Sequence, residues 1–305
     1  MITVALLSGG SSSEREVSLR SGQAVQTALE TAGYTVRAVD PAPLHSEELL
    51  AALEGCDVVF PVLHGAGGED GVPQAWLQEH GFAFIGADEA SSAVCFDKAR
   101  YKQAVEQFGI PLAPGELVNL ETFQQAELAG KPYVLKPNDG GSSVDTFIVR
   151  DPAGADMDAI TQAFKKYGVL LLEELIEGTE ITVAVLDDAA LPVIEIIPPE
   201  DGEFDYENKY NGKSQELCPP EHVDTTLQKQ AQTIALKIHR QLRLRDMSRT
   251  DMMIRASDNT LFVLETNTIP GMTDQSLLPK AAAEAGIDMP ALVSRLVEVA
   301  LARRA

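Results

Sequence analysis

Apolar and polar residues along the chain form blocks that predict alternating strands and helices. Residues 2–7, 35–39 and 57–63 are short apolar runs, and the first and third end at glycine-rich segments. Such runs are typical of buried strands that enter a turn. Between the first two runs, apolar residues recur at helical spacing over residues 17–29. This alternation predicts a doubly wound, parallel N-terminal sheet.

Two short patterns indicate where helices begin in this part of the chain. Ser13 and Glu16 have the spacing of a capping box, so we expect Ser13 to cap the first helix. Pro73 suits the first turn of the helix that follows the third strand.

The pattern changes from about residue 97. The segment 198–220 is long, polar and rich in Pro, Gly and Asp. A structureless loop of this length inside a domain is usually functional or disordered. The other elements predicted here are a helix over 97–108, strands over 132–136, 169–173 and 180–186, a helix over 227–242, paired strands over 249–255 and 260–266, and helices over about 275–285 and 289–303.

Composition narrows the choice of partners. The 305 residues include 24 Lys and Arg against 46 Asp and Glu, which gives a formal net charge of −22. Such an acidic surface repels nucleic acid and anionic lipid, so we expect neither as a partner. A phosphate ligand must therefore be held by a few local lysines.

The cysteines and the N-terminal segment indicate a cellular compartment. The chain has 3 cysteines without Cys-x-x-Cys spacing, which predicts neither a disulfide framework nor a zinc site. The N-terminal segment lacks a basic leader, and no run approaches the length of a membrane-spanning helix. We therefore expect a cytoplasmic protein.

The predicted hairpin is the most informative local feature. If its turn centres on Asp258, Asp251 lies opposite Glu265. In the same register, Arg249 lies opposite Asn267. Opposed carboxylates repel unless a cation lies between them, and two carboxylates with an amide oxygen suit Mg²⁺ that also binds water and phosphate. A solvated hairpin face with its charges splayed apart explains the same spacing.

Two lysines are candidates for binding phosphate. Lys136 ends an apolar strand before a Gly-Gly-Ser-Ser loop, whose backbone N–H groups can surround an anion. Lys98 opens a helix, and either lysine alone is also explained as a solvated side chain. Gly212-Lys213-Ser214 ends like a P-loop, but Glu207 replaces the required first glycine.

Several other polar residues allow two interpretations each. Glu173 and Glu180 could serve a nucleotide or belong to an ordinary acidic turn. His64 could lie near a ligand or in the core. Glu14 could bind an ammonium group or favour the helix N-terminus through the helix dipole. Tyr210, inside the long polar segment, could be a lid residue or a surface ring.

Short blocks in a fixed order connect these candidates. They are Ser8-Gly9-Gly10, Glu14-Arg15-Glu16-Val17-Ser18, His64-Gly65-Ala66-Gly67-Gly68-Glu69-Asp70-Gly71, Asp97-Lys98, Lys136-Pro137, Gly141-Ser142-Ser143-Val144, Tyr206 with Lys209-Tyr210, Arg249-x-Asp251, and Glu265-x-Asn267-Thr268-x-Pro270-Gly271-Met272-Thr273 with Ser276-Leu277. In identity and order, these blocks resemble the D-alanine–D-alanine ligases of the ATP-grasp superfamily, nearly from end to end.

The resemblance implies a fold and a division of the chain. The expected class is α/β, with α+β in the C-terminal part, and the ATP-grasp fold follows the doubly wound N-terminal domain. The implied units are an N-terminal preATP-grasp domain over 1–95, a central ATP-grasp subdomain with the phosphate-capping loop over 96–178, and a C-terminal ATP-grasp subdomain with the metal site and a lid over 179–305.

The resemblance also implies a reaction. ATP would phosphorylate the carboxylate of one D-alanine, and the amine of a second D-alanine would displace phosphate to give D-alanyl-D-alanine for peptidoglycan. Such an ADP-forming ligation depends mainly on positioning and charge neutralisation. The family further implies a homodimer.

Residue roles follow from the matched motifs. Asp251, Glu265 and Asn267 would hold two Mg²⁺ or Mn²⁺ ions. The ATP-binding residues would be Lys98, Lys136, Ser143, Glu173, Glu174, Leu175, Ile176, Glu180 and Lys209. The substrate-binding residues would be Glu14, His64, Arg249, Gly271, Ser276 and Leu277. The catalytic set would be Glu14, Ser142, Tyr210, Arg249 and Gly271, in which Arg249 and the Gly271 N–H stabilise the oxyanion.

Two positions depart from the family pattern. Leu175 stands where an aromatic residue often lies beside adenine. Asp145 stands where glycine is usual, so we expect a positive φ there, which aspartate tolerates. Its carboxylate, beside the phosphates, would disfavour the triphosphate, and Asp145→Gly would then lower the KM for ATP.

Two other functions stay open on the sequence. One is a ligase on the same fold that uses D-serine or D-lactate as its second substrate, although Lys209-Tyr210 favours the dipeptide product. The other is a nucleotide-binding regulatory protein without turnover, which the departure at Asp145 suggests.

Overall fold

The computed structural model describes residues 1–41, 43–44, 46–140, 145–199 and 214–303. Across those ranges, no helix is both long enough and apolar enough to cross a membrane.

The N-terminal part is a parallel sheet with apolar cores on both faces. Its described strands have the order β2-β1-β3. Because neighbouring residues of a strand point to opposite faces, Val4 and Leu6 enter one core while Ala5 and Leu7 enter another. The doubly wound arrangement is therefore confirmed. The elements are β1 (Thr3–Leu7), α1 (Arg15–Thr31), β2 (Thr35–Val39), α2 (Glu47–Leu53), β3 (Val58–Pro61), α3 (Val72–Glu79) and α4 (Glu89–Phe96).

The central part is an antiparallel sheet with one long helix against it. Its described strands have the order β4-β7-β5-β6. Ile160, Ala163 and Phe164 are spaced to lie on one helix face and pack with Tyr133 and Leu135 of the sheet. The elements are α5 (Lys98–Glu106), β4 (Gly115–Val118), α6 (Leu120–Phe123), β5 (Tyr133–Pro137), β6 (Phe147–Val149), α7 (Met157–Tyr167) and β7 (Leu170–Glu174), with 3₁₀ turns at Glu127–Gly130 and Pro152–Gly154.

The C-terminal part contains a larger antiparallel sheet. Its described strands have the order β11-β10-β8-β12-β13, and β9 pairs with β8. The elements are β8 (Gly178–Leu186), β9 (Ala189–Ala190), β10 (Ile194–Ile197), β11 (Gln215–Leu217), α8 (Thr225–Gln241), β12 (Met247–Arg255), β13 (Leu261–Asn267), α9 (Leu277–Glu284) and α10 (Met289–Ala302).

The last helix packs against the first part of the chain. Leu292 and Leu296 of α10 share one apolar core with Val4 and Leu6 of β1, and α10 contacts α1 and β3. One core therefore joins residues of the expected units 1–95 and 179–305, and the boundaries of the three units 1–95, 96–178 and 179–305 stay predictions.

Two expectations about local structure are wrong. Ser13 does not cap α1, because Glu14 is the N-cap residue and makes no side-chain capping bond. The segment 198–220 is not loop throughout, since Gln215–Leu217 pairs with β10 as strand β11. Residues 200–213, where the lid is expected, lie outside the described residues.

Candidate active site

A cavity of about 720 Å³ is lined by both the central and the C-terminal sheets. Strands β5 and β7 contribute one wall, strands β8, β12 and β13 another, and the loop that contains Glu14 closes one side. Seven of the predicted ATP-binding residues line the cavity, namely Lys98, Lys136, Glu173, Glu174, Leu175, Ile176 and Glu180. Ser142, Ser143, Lys209 and Tyr210 lie outside the described residues, so their roles stay predictions.

Glu173 carries a buried negative charge in this wall. Lys136 Nζ lies 2.6 Å from its Oε2 atom, and Lys102 binds its Oε1 atom. Burial raises the pKa of the Glu173 carboxyl, but Lys136 and Lys102 outweigh burial and hold that pKa below its usual value. The carboxylate is therefore ionised and forms ion pairs with both lysines.

Lys98 reaches the same cavity from the start of α5. Asp97 caps that helix by accepting the Arg100 N–H at 3.0 Å. Lys98 Nζ donates to the Gly140 carbonyl at 2.6 Å and lies 3.8 Å from Glu265 Oε2. The ammonium group is thus placed between the loop after β5 and the predicted metal ligands.

The end of β7 forms the apolar part of the cavity. The Glu174 N–H donates to the Pro114 carbonyl at 2.8 Å and the Leu175 N–H to the Pro132 carbonyl at 3.2 Å. These bonds fix the chain direction, so that Leu175 and Ile176 line the cavity beside Met253. Leu175 provides apolar contact there without a ring that could stack on a base.

The predicted metal ligands lie side by side on the hairpin. The register is confirmed, because Asp251 pairs with Glu265 and Arg249 with Asn267 across β12 and β13. The Asp251 carboxylate accepts bonds from Arg249 at 2.9 and 2.7 Å and from the Thr182 hydroxyl at 2.6 Å. The splayed, solvated hairpin face is therefore not what the structure shows.

The donor set of this hairpin fits a hard cation. The Asn267 amide nitrogen donates to Asp251 Oδ2 at 3.2 Å, so its oxygen is the atom that could bind a metal. In the described ranges, no three His, Cys, Asp or Glu side chains form a metal cluster. The two carboxylates and one amide would need water and phosphate oxygens to complete a shell, as Mg²⁺ prefers.

Glu14 lies where the N-terminal loops meet the cavity. The Ser12 hydroxyl donates to the His64 carbonyl at 2.6 Å and accepts the Glu14 N–H at 3.1 Å. A Cβ at position 65, where φ is +74°, would lie 3.0 Å from Glu14 Oε1. Glycine at 65 therefore allows the Glu14 carboxylate to sit against this loop.

His64 connects this loop to the end of the C-terminal sheet. Its Nε2 atom lies 3.3 Å from the Ser21 hydroxyl, which accepts the Met272 N–H at 3.3 Å. Burial, and secondarily the charge of Arg249, lowers the pKa of His64 to about 4. The imidazole is therefore neutral near pH 7 and can act there only as a hydrogen-bonding group.

The remaining predicted substrate residues meet at the start of α9, outside the lining of the main cavity. The Ser276 hydroxyl accepts the Thr273 N–H at 3.1 Å, and a Cβ at Gly271 would lie 2.8 Å from that hydroxyl oxygen. Leu277 is the first residue of the helix. Gly271, Ser276 and Leu277 thus form one unit beside a helix N-terminus, where an anion is favoured.

Two residues without a predicted role, Glu69 and Lys102, contact residues of the site. Glu69 accepts the Gly65 N–H at 2.9 Å, and burial followed by the charge of Glu14 raises its pKa to about 8. Lys102 binds Glu173. A sequence signal existed for both, because Glu69 lies in the block 64–71 and Lys102 is one helical turn beyond Lys98.

Asp145 has the expected positive φ, at 54°. Its carboxylate accepts bonds from Lys166 Nζ at 2.7 Å and from the Tyr167 hydroxyl at 2.6 Å. The hydrogen bond from Lys166, and then that from Tyr167, lowers the pKa of Asp145. Because a cation already neutralises this carboxylate, the expectation that it repels a triphosphate loses its physical basis.

Comparison with known proteins decides the family. A family model described as D-ala D-ala ligase C-terminus matches residues 104–298. A D-alanine–D-alanine ligase of Syntrophobacter fumaroxidans is 45% identical, with 98% of this chain and 98% of the relative covered. One of Xanthobacter autotrophicus is 43% identical, with 99% of each covered. The chain belongs to the D-alanine–D-alanine ligase family.

Solved structures of D-alanine–D-alanine ligases agree with this family assignment. One from Bacillus anthracis has a TM-score of 0.86 and 30% identity, covering 100% of this chain and 99% of that chain. A second structure of that ligase, complexed with ATP, has a TM-score of 0.83 and 27% identity, covering 100% and 98%. The predicted ATP-grasp fold is therefore confirmed.

Proposed function

We propose that this chain is an ADP-forming ligase that uses ATP to join two D-alanine molecules into D-alanyl-D-alanine, a precursor of peptidoglycan. The observation that carries the proposal is the convergence, in one cavity, of seven nucleotide-binding positions with Glu14, Asp251 and Glu265. The full-length similarity to D-alanine–D-alanine ligases supports the same activity.

The cavity has an apolar end and a cationic end, which suit the two ends of ATP. Leu175, Ile176 and Met253 offer apolar surface for the adenine. Lys98 and Lys136 lie toward the phosphate end, where their charges offset the repulsion between an acidic protein and a triphosphate. Glu180, on the wall formed by β8, is placed for the ribose hydroxyls.

Asp251, Glu265 and Asn267 would hold the divalent cations, and we propose two Mg²⁺ or Mn²⁺ ions. When bound, such ions neutralise charge on the phosphate oxygens during phosphoryl transfer. The hairpin register aligns Asp251 with Glu265, and the Thr182 hydroxyl fixes one oxygen of Asp251. Both features support a preformed site.

The substrate end uses one anion and several hydrogen-bond donors. Glu14, buried and facing the cavity, would bind the ammonium group of the first D-alanine and so direct its carboxylate toward the γ-phosphate. Arg249 and the Gly271 N–H would stabilise the oxyanion of the tetrahedral intermediate. Ser276 and the Leu277 N–H would hold the carboxylate of the second D-alanine, close to the N-terminus of α9.

No nucleophilic side chain is required by this scheme. The acyl phosphate forms when the D-alanine carboxylate attacks the γ-phosphorus and ADP leaves. The second amine then attacks the acyl carbon, loses a proton and expels phosphate. The residues orient these groups and limit water, which is where most of the rate advantage arises. The roles of Ser142, Ser143, Lys209 and Tyr210 are proposed from the family resemblance, as is the homodimer. The cytoplasmic location is proposed from the scattered cysteines.

A coupled assay of ADP release tests the proposal. We expect release that requires both Mg²⁺ and D-alanine, with D-alanyl-D-alanine as the product detected by mass spectrometry. D-Lactate and D-serine, each tested with D-alanine as the first substrate, separate the related ligase activities. Nucleotide binding without ADP release would overturn the proposal in favour of a regulatory protein. Size-exclusion chromatography with light scattering tests the homodimer.

A further inference from the structure

A largely buried lysine, Lys102, lies behind the cavity wall that β5 and β7 form. Lys102 lies on α5, one turn after Lys98, so both side chains project from the same helix face. Lys98 lines the cavity, whereas Lys102 is separated from it by Glu173 and Ala113. The Lys102 side chain is only 14% exposed.

Lys102 binds two groups of the cavity wall at once. Its Nζ atom donates to the Ala113 carbonyl at 2.6 Å and forms the ion pair with Glu173 Oε1. The other oxygen of Glu173 lies 2.6 Å from Lys136 Nζ. Glu173 is therefore held from both sides, by Lys102 behind it and by Lys136 beside the cavity.

This arrangement has a consequence for charge. One carboxylate between two ammonium groups leaves a net charge of about +1 in a buried region, where charges interact more strongly than in water. Without Lys102, Glu173 and Lys136 would neutralise each other, and this pair would offer no surplus positive charge to a nucleotide. Glu173 would also be free to turn fully toward Lys136.

We infer that Lys102 is a positioning residue for the nucleotide: it holds Glu173 in place and so keeps Lys136 available to ATP. The inference rests on the proposed nucleotide site and extends it to a residue outside the cavity. A carboxylate fixed in this way presents only acceptor atoms, which suits the amino group of adenine and opposes the carbonyl edge of guanine.

The variants Lys102→Met and Lys102→Gln test this role. Methionine removes the charge while keeping an apolar stem, and glutamine retains one donor group. We expect the dissociation constant of MgATP, measured by fluorescence titration, to rise about tenfold for Lys102→Met. The KM for ATP should rise with it, while the KM for D-alanine changes by less than about twofold. Lys229→Met, an exposed lysine on α8, is the matched control and should leave every constant unchanged.

A double-mutant cycle with Glu173→Gln shows whether Lys102 acts through Glu173. If it does, Lys102→Met should add almost nothing to the loss already caused by Glu173→Gln. Fully additive losses would overturn the inference, and so would equal increases in the KM for ATP and for D-alanine. Thermal unfolding without nucleotide shows whether Lys102→Met is poorly folded. If it is, the same measurements are made on Lys102→Gln.

The wild-type protein separates this inference from the proposed function. If the wild type releases no ADP with D-alanine, the proposed function fails. If the wild type is active and Lys102→Met behaves like Lys229→Met, only the role of Lys102 fails. A wild-type preference for ATP over GTP that shrinks in Lys102→Met would support the positioning of Glu173.

Discussion

The carboxylate of Asp145 is a departure from the family pattern that the structure compensates. Lys166 and Tyr167 both donate to it, and its φ of 54° is one that glycine adopts freely. We therefore expect Asp145→Gly to change the KM for ATP by less than about twofold, since an exposed ion pair contributes little. Steady-state kinetics at saturating D-alanine measure this, and a drop of the KM well beyond twofold would show that the carboxylate turns to the phosphates.

A buried hydroxyl beside a metal ligand gives a second prediction at this scale. Thr182 donates to Asp251 Oδ1 at 2.6 Å and is buried on β8. Hydrogen-bond partners of metal ligands commonly change metal affinity by about 10- to 100-fold. We expect Thr182→Val to weaken Mn²⁺ binding about tenfold, as measured by electron paramagnetic resonance. Thr233→Val, which removes an exposed hydroxyl on α8, should leave Mn²⁺ binding unchanged.

The positions of individual site residues could be predicted from the sequence where those residues belong to a recognisable motif. The register that pairs Asp251 with Glu265 followed from strand alternation and the position of one turn. The partner of Asp145 was not predictable, because Lys166 is 21 positions away and its contact depends on how α7 packs. Lys102 was missed although it lies one helical turn beyond Lys98, because its partner Glu173 is 71 positions away in the sequence.

At the scale of elements, strands β8 and β12 approach closely at the edge of the cavity. A Cβ at Gly178 would lie 1.8 Å from the Ile254 carbonyl oxygen, so any side chain there must push the strands apart. We expect Gly178→Ala to lower the free energy of unfolding by about 1–3 kcal/mol, because the added Cβ forces a backbone shift. Denaturant titration measures this loss.

Gly130→Ala is the control for that variant, because nothing lies within 4 Å of the added Cβ. It should change the unfolding free energy by less than about 0.5 kcal/mol. Gly178→Ala should also raise the KM for ATP, since Glu180 lies two residues further along the displaced strand. Equal stability of the two variants would contradict the close approach.

Helices and strands were predicted correctly where the local sequence shows a clear pattern of apolar and turn residues. The strands of the parallel sheet and the hairpin strands follow from apolar runs and turn residues. The three-residue strands β6 and β11 have too few residues for a pattern, and they form because a neighbouring strand supplies hydrogen-bond partners. Helix α7 was missed although Ile160, Ala163 and Phe164 show helical spacing.

At the scale of the whole molecule, an ion pair with a buried carboxylate connects the residue after α10 to the residue before β12. Asp246 is 3% exposed and accepts two bonds from Arg303 and one from the Gly86 N–H. Removing one partner of a buried pair typically costs about 3–5 kcal/mol. Because the Arg303 side chain is itself 31% exposed, we expect Arg303→Ala to lose stability toward the lower end of that range in thermal or chemical unfolding.

Arg295→Ala provides the comparison for this prediction. Its ion pair with Asp187 is exposed, with both side chains above 40%, so its loss should cost less than about 1 kcal/mol. If the two arginine variants lost equal stability, the buried pair would not be the source of the effect.

The buried histidines predict how stability depends on pH. Burial lowers the pKa of His239 from 6.5 to about 4, so the folded protein binds fewer protons than the unfolded chain between these values. Stability should therefore fall as the pH drops from 6.5 toward 4, and this group has no effect well above pH 6.5. His64 acts in the same direction.

His239→Gln isolates one of these contributions. Between pH 7 and pH 5, the variant should lose about 2 kcal/mol less unfolding free energy than the wild type. Denaturant titrations at several pH values measure the difference, and parallel curves for the two proteins would contradict the assignment.

The packing of α10 on the N-terminal sheet also orders events during synthesis. Val4 and Leu6 are synthesised long before Leu292 and Leu296, which share their core. Val25 and Leu29 of α1 also belong to this core, but the part that Leu292 and Leu296 cover stays exposed until α10 has been synthesised. A nascent chain of this kind is exposed to aggregation until α10 has emerged from the ribosome, so a late helix completes the core that the first strand begins.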